Sequence, residues 1–158
     1  MKKQIIFFLS ALSGFFIGVF ITGKVENKAR KKIQIISDKH LALFLMMNRW
    51  VQAKQEGKNV SDFLEHNAYK NIAIYGMSYV GECLLKELKD TQTVVKYGID
   101  QRSDELYSEV SIYSPDDNLE DVDAIIVTSI FFVDEIREKL SLKVSCPIIS
   151  LENILNEI

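Results

Sequence analysis

Cysteine, histidine and proline are scarce in this chain of 158 residues, with two of each. Cys83 and Cys146 lie far apart and lack metal-ligand spacing. They read as two reduced thiols packed in or near a core, Cys83 on the buried side of a helix. His40 and His66 stand equally alone, with no carboxylate or cysteine arrangement around them that suggests a metal site. Charge is missing altogether from Ile5 to Thr22, and proline and glycine are missing from Val25 to Gln55. The length suits one globular domain and little more. Basic residues are also scarce from Asp100 onward, where acids heavily outnumber Lys and Arg. An acidic globe is repelled by nucleic-acid phosphates, which excludes nucleic acid as a partner.

What is present is unevenly distributed. As a helix, the uncharged run from Ile5 to Thr22 spans about 27 Å at ~1.5 Å per residue, against a hydrocarbon core of ~30 Å. Lys2, Lys3 and Lys24 flank it and reach the headgroup layers. A cleaved signal peptide fits the opening, but no A-x-A-like site follows, so a retained transmembrane anchor over residues 1–23 is expected. Lys24, Lys28, Arg30, Lys31 and Lys32 follow the run with a single Glu26 among them, a composition suited to lipid headgroups. By the positive-inside rule this bias leaves the C-terminal domain of a single-pass protein in the cytoplasm, although Lys2 and Lys3 oppose it. Ser10, Gly14, Gly18 and Thr22 recur every fourth residue and form a small stripe that permits close helix–helix approach, in a homodimer or with a different membrane protein.

Residues 24–70 read as a long amphipathic connecting helix and a short one. Ile33, Ile36, His40, Leu43, Met47 and Trp50 follow the alternating steps of a coiled-coil seam. Leu41, Phe44, Leu45, Met46 and Val51 widen the apolar face, which suits a parallel dimer and packing within one chain equally. Gly57 closes the helix, and Asn59 or Ser61 caps a short one to about His66.

From residue 71 to 158 short apolar runs alternate with helical segments. Strands are expected at Asn71–Tyr75, Thr93–Ile99, about Val110–Tyr113, Asp123–Thr128 and Pro147–Ser150. Helices are expected at about Tyr79–Lys89, Phe132–Leu140 and Leu151–Ile158, with a brief helical turn after Ser114-Pro115. Near-continuous β-branched strands of this kind form a parallel sheet covered on both faces. Right-handed crossovers favour the order 3-2-1-4-5. The fold class is therefore α/β, a five-stranded parallel sheet preceded by a transmembrane helix and a long connecting helix.

The first strand runs into Gly76-Met77-Ser78-Tyr79-Val80-Gly81, which aligns on the dinucleotide fingerprint G-x-G-x-x-G with Ser78 at the second glycine. Gly76 allows the tight turn, and Gly81 lets the helix approach the strand. The middle position must admit a phosphate near the backbone, and the helix N-terminus beyond it offers free N–H groups. Asp100 ends the second strand about 20 residues on, where a ribose-binding carboxylate belongs. Arg102 suits an additional phosphate.

The segments IAIYGMSYVG (Ile72 to Gly81), YGID (Tyr97 to Asp100) and DVDAIIVTSI (Asp121 to Ile130) resemble the Rossmann-like domains of bacterial nucleotide-sugar and cell-surface polysaccharide proteins. The likeness covers roughly the second half of the chain. It implies a loop formed by Gly76, Met77, Ser78, Tyr79 and Gly81 that holds NAD(P) or a nucleotide-sugar diphosphate. Asp100 would hold the ribose, and Thr128 and Ser129 would border the crevice. Enzymes of this kind use a Tyr-x-x-x-Lys pair, but no tyrosine here has lysine four residues later. Ser78, Thr128, Ser129 and Ser150 reach the crevice in this reading without an evident base. No catalytic residue and no metal ligand is therefore assigned. The expected function is a membrane-tethered cytoplasmic binding module, regulatory or accessory to a glycan-synthesis enzyme as partner. Its alternatives are a subunit or remnant of a nucleotide-sugar-modifying enzyme and a ligand-free scaffold.

Overall fold

The structure is a computed structural model and describes residues 30–158. The apolar run Ile5–Thr22, its Ser10–Gly14–Gly18–Thr22 stripe and the anchor expected there lie outside the described residues. Among the described residues no helix is long and apolar enough to cross a membrane. The chain divides into two compact units, Met1–Leu41 and Ala42–Ile158.

Residues 30–55 are helical and form α1, consistent with a stretch that has neither proline nor glycine. Within residues 30–41, Ile33, Ile35, Ile36 and Leu41 are exposed. Within the second unit Met46, Trp50 and Ala53 are buried on one face of α1, while Phe44, Leu45 and Val51 are exposed. The Leu43–Met47–Trp50 part of the expected seam is therefore spent inside this unit, where Leu43 and Met47 pack against the core. Gly57, at φ +78°, follows the helix and sends the chain into α2, Val60–His66.

The sheet has five parallel strands in the order β3-β2-β1-β4-β5. They are β1 (Asn71–Tyr75), β2 (Val94–Ile99), β3 (Ile112–Tyr113), β4 (Ala124–Val127) and β5 (Ile148–Ser150). Between them run α3 (Tyr79–Leu88) and α4 (Val133–Ser141), and α5 (Leu151–Glu157) closes the chain. Each of β1–β5 and α2–α5 lies within two residues of the position expected from the sequence. The one local error concerns the brief helical turn. It forms at Ser103–Glu105, before β3, while Ser114–Asp117 is a turn tied by Ser114 N–H to the Asp117 carboxylate at 2.7 Å.

Strand alternation assigns the two faces. Ile72, Ile74, Ala124 and Ile126 point toward α1, α2, α3 and α5, which bring Trp50, Leu64, Leu84 and Ile154 to a common core. Ala73, Tyr75, Tyr97, Ile99, Ile125 and Val127 point the other way, where α4 contributes Ile136 and Leu140 one turn apart. No helix joins β3 to β4 on that second face. The connection supplies only Leu119 and Val122 as cover.

Two buried polar groups fix this packing. The Glu87 side chain, only 7% exposed, accepts the Trp50 indole N–H at 2.6 Å and the Val60 N–H at 2.9 Å. Lys54 Nζ stands 3.3 Å from the same carboxylate, so one anion joins α1, α2 and α3. On the other face the Tyr97 hydroxyl donates to Glu120 O at 2.6 Å and fixes the connection after β3. Burial pushes the Tyr97 phenol up to about 12, helped by the negative groups around it. Cys83 corrects its expectation: its position on α3 is exposed, because α1 leaves a groove over that side of the helix. Cys146 is half-buried against the second face, and burial raises its thiol, which keeps it protonated and unreactive.

Glu87→Ala strands two buried N–H donors, and chemical denaturation should show a loss of about 2–5 kcal/mol, the range for an unpaired buried partner. Tyr97 adds a pH signature. Its folded pKa lies above the unfolded value, so the unfolded state releases its proton first as pH rises. Stability should fall between pH 10 and about 12. Urea midpoints measured across that window should decline less steeply in Tyr97→Phe than in the parent.

Candidate functional site

Ile99, Tyr75 and Val127 stand side by side in register at the carboxyl ends of β2, β1 and β4. Successive connections leave β1 in opposite directions, toward β2 through α3 and, from β4, toward β5 through α4. The chain therefore diverges between β1 and β4, and a crevice opens outside the strand ends at that point. Its volume is about 560 Å³, and it is walled by the β1–α3 loop, the end of β2, the end of β4 and one face of α4.

The loop is shaped by close backbone approach. Gly76 has φ +95°, and a Cβ there would stand 2.6 Å from the Thr128 hydroxyl. A Cβ on Gly81 would collide with Gly76 O, so both glycines of the fingerprint are sterically required. Gly76 N–H donates to Ile99 O at 2.8 Å. The Thr128 hydroxyl is shared between Gly76 O at 2.6 Å and Tyr75 O at 3.1 Å. Met77 N–H donates to one Asp100 carboxylate oxygen at 2.9 Å, and Arg102 N–H to the other at 3.0 Å. Asp100 therefore has a structural task as well as a position facing the crevice. It orders the glycine loop and keeps further acceptor lone pairs for a ligand hydroxyl.

Of the residues expected at the site, Gly76, Ser78, Asp100, Arg102, Thr128 and Ser129 line the crevice together. Three others of that group do not. Met77 turns inward and is buried in the main core, Gly81 is buried beneath the first turn of α3, and Tyr79 is 90% exposed without lining the crevice. Ser150 is also elsewhere: it is buried at the start of α5, where its hydroxyl accepts the Asn153 N–H at 3.1 Å. Ser78 occupies the N-cap position of α3, and its side chain makes no capping bond, which leaves the first-turn N–H groups directed outward beside an exposed hydroxyl.

Sequence reasoning missed Tyr75, Gln101, Phe132, Glu135, Ile136 and Lys139, which complete the lining. The four α4 residues follow helical spacing, so the 3.6-residue period after β4 contains the signal once a crevice is assumed at that strand end. Phe132 and Ile136 make this wall apolar, and Glu135 and Lys139 give it one charge of each sign. Burial raises the Tyr75 phenol, with nearby Lys139 opposing it, so this hydroxyl stays protonated near neutral pH. Lys139 Nζ stands 2.8 Å from Asp116. Hydrogen bonding holds the Asp116 carboxyl below its usual range and raises the Lys139 ammonium. No group of three or more His, Cys, Asp or Glu among the described residues is placed to hold a metal ion.

Comparison with protein-family models, with curated proteins and with solved structures finds no match for this chain.

Gly76→Ala forces a Cβ onto Thr128 at a positive φ, and should cost about 1–3 kcal/mol of unfolding free energy in a denaturant titration. Asp100→Ala should also destabilise the ligand-free protein by about 1–3 kcal/mol, because it leaves the Met77 N–H unpaired, whereas Asp100→Asn should recover part of that loss through its amide oxygen.

Proposed function

We propose that this chain is a membrane-tethered nucleotide- or nucleotide-sugar-binding module, regulatory or accessory to the synthesis of cell-surface polysaccharide. One observation carries the binding role: Gly76, Ser78, Asp100, Arg102, Thr128 and Ser129 meet in a single crevice at the divergence point of an open parallel sheet. Ligands of open α/β sheets bind at that position, with phosphates against the helix that follows the first strand. In this reading the diphosphate lies against Ser78 and the first turn of α3. The ribose hydroxyls donate to Asp100, and the remaining sugar or nicotinamide ring rests on Phe132 and Ile136. NAD(P) fits the same description as a nucleotide sugar.

The role proposed is binding without turnover, in which Asp100, Glu135 and Lys139 of the lining serve as ligand contacts. Tyr75 is held in its protonated form and serves as a donor. The Ser78 and Ser129 hydroxyls lie in the crevice, where none of the lining residues is a histidine. The uncharged run Ile5–Thr22 and the basic residues after it support the tether and the cytoplasmic placement of the domain. The polysaccharide assignment rests on the likeness of Ile72–Gly81, Tyr97–Asp100 and Asp121–Ile130 to domains of that kind. A ligand-free scaffold is the second reading, favoured by one fact: Asp100 and Thr128 already satisfy the loop's own N–H and carbonyl groups.

Thermal unfolding of the full chain in detergent, against NAD(H), NADP(H), UDP-sugars and ADP, decides between the two. A ligand at about 100 times its Kd should add about 2.7 kcal/mol of stability. Ser78→Glu puts a negative charge on an exposed loop position and should remove that shift without lowering the melting temperature of the free protein. A folded parent that responds to none of these ligands would overturn the binding role and leave the scaffold.

A further inference from the structure

The crevice is walled on one side by Phe132, Glu135, Ile136 and Lys139, which share a face of α4, and on the other by the glycine loop and Asp100–Arg102. Arg102 and Lys139 are the only cations among the lining residues, and Lys139 is the one on the α4 wall. Its ammonium is engaged 2.8 Å from an Asp116 oxygen, and Asp116 itself does not line the crevice. Both partners are well exposed, so the pair holds Lys139 only weakly.

The turn that carries Asp116 does not depend on that pair. Ser114 N–H donates to the Asp117 carboxylate, Asp116 N–H to the Ser114 hydroxyl at 3.3 Å, and Asp117 N–H to Ser114 O at 3.0 Å. Lys143, just beyond the end of α4, separately donates to Pro115 O at 2.8 Å. Lys139 can therefore leave Asp116 while the turn stays fastened. Glu135, one turn earlier on α4, keeps an anion away from its own end of the wall and offers an acceptor to ligand hydroxyls. A lysine ammonium is a compact charge with three donors on a flexible stem, suited to following a phosphate. A diphosphate carries more charge than one carboxylate and forms stronger charge-assisted bonds.

We propose that Lys139 is the phosphate-binding cation of this crevice and that Asp116 is its resident counter-ion, displaced when a nucleoside diphosphate group enters. The proposal rests on the nucleotide-binding reading above and adds a residue and an exchange to it. Asp116 keeps Lys139 extended beside the opening of the crevice, and makes phosphate affinity depend on competition between two anions for one ammonium.

Titration calorimetry on the full chain in detergent, with ADP, UDP, adenosine and uridine as probes, tests the exchange. Lys139→Gln should weaken the diphosphates about tenfold or more, the scale of one lost charge-assisted hydrogen bond, and leave the nucleosides unchanged. Lys139→Arg should restore most of the affinity. Asp116→Asn should tighten the diphosphates severalfold in the parent and do nothing in the Lys139→Gln background, because there is no ammonium left to release. Equal diphosphate affinity in Lys139→Gln and parent overturns the proposal, as does an Asp116→Asn effect that persists without Lys139. Either result leaves the nucleotide reading standing. Failure of all four probes to bind the parent overturns that reading, and the exchange falls with it.

Discussion

Between Tyr75 and Tyr79 the chain must change from a central strand to a helix, and the sheet allows it almost no room. Gly81 has to pass close over Gly76 O, and Thr128 must reach the same carbonyl from the other side. A positive φ at Gly76 is the solution the backbone finds, and glycine takes it at the least steric cost. Once Gly76 turns, its N–H reaches Ile99, Met77 drops into the core, and the Met77 N–H meets Asp100. The ends of β1, β2 and β4 are thus tied at one level, and the crevice is the space left above them. Core packing, loop order and the candidate site share this single turn, so a change there cannot affect one alone.

The two sheet faces are unequally covered, and the inequality creates the opening. One face is covered by four helices whose contacts are pinned by Glu87. The other has α4 and two side chains of the β3–β4 connection, with Tyr97 anchoring that connection to the sheet. The Ser114–Asp117 turn stands in this connection and brings Asp116 to Lys139, while Tyr75 and Ile136 line the crevice.

Sequence reasoning worked where the cause was local. Runs such as IAIY (Ile72–Tyr75) and AIIV are apolar at every position because both sheet faces are covered, and their ends coincide with Gly76 and Thr128, where the pattern breaks. The strand order followed from crossover handedness, and the fingerprint glycines were legible because their steric task is confined to six residues. What escaped depends on distant partners. The heptad spacing of Trp50 suits a seam between chains and packing within one chain equally; the partner that decides it, Glu87, takes its indole N–H from 37 positions away. Cys83 was placed inside by helical phase, but it faces the groove that α1 leaves open. Tyr79 was included by motif position, and it points away from the crevice because the first turn of α3 directs only its backbone toward the site. Lys139 carried no motif at all.

Asp100 shows why a motif position and a function must be argued separately. A carboxylate at the end of β2 has one use that the structure shows, ordering the glycine loop through Met77 N–H, and a second in the proposed function, accepting ligand hydroxyls. The first use is satisfied in the free protein and explains the residue without any ligand. The second needs lone pairs that remain on oxygens already receiving one N–H each, and a carboxylate retains them. The two uses are compatible because a ribose hydroxyl donates where the backbone also donates. A phosphate cannot share that carboxylate, so it must sit farther along, at Ser78, the first turn of α3 and the α4 wall. In the proposed reading a ligand would lie along the crevice with its polyol at β2 and its diphosphate between the first turn of α3 and Lys139, an order that charge and hydrogen-bond direction favour.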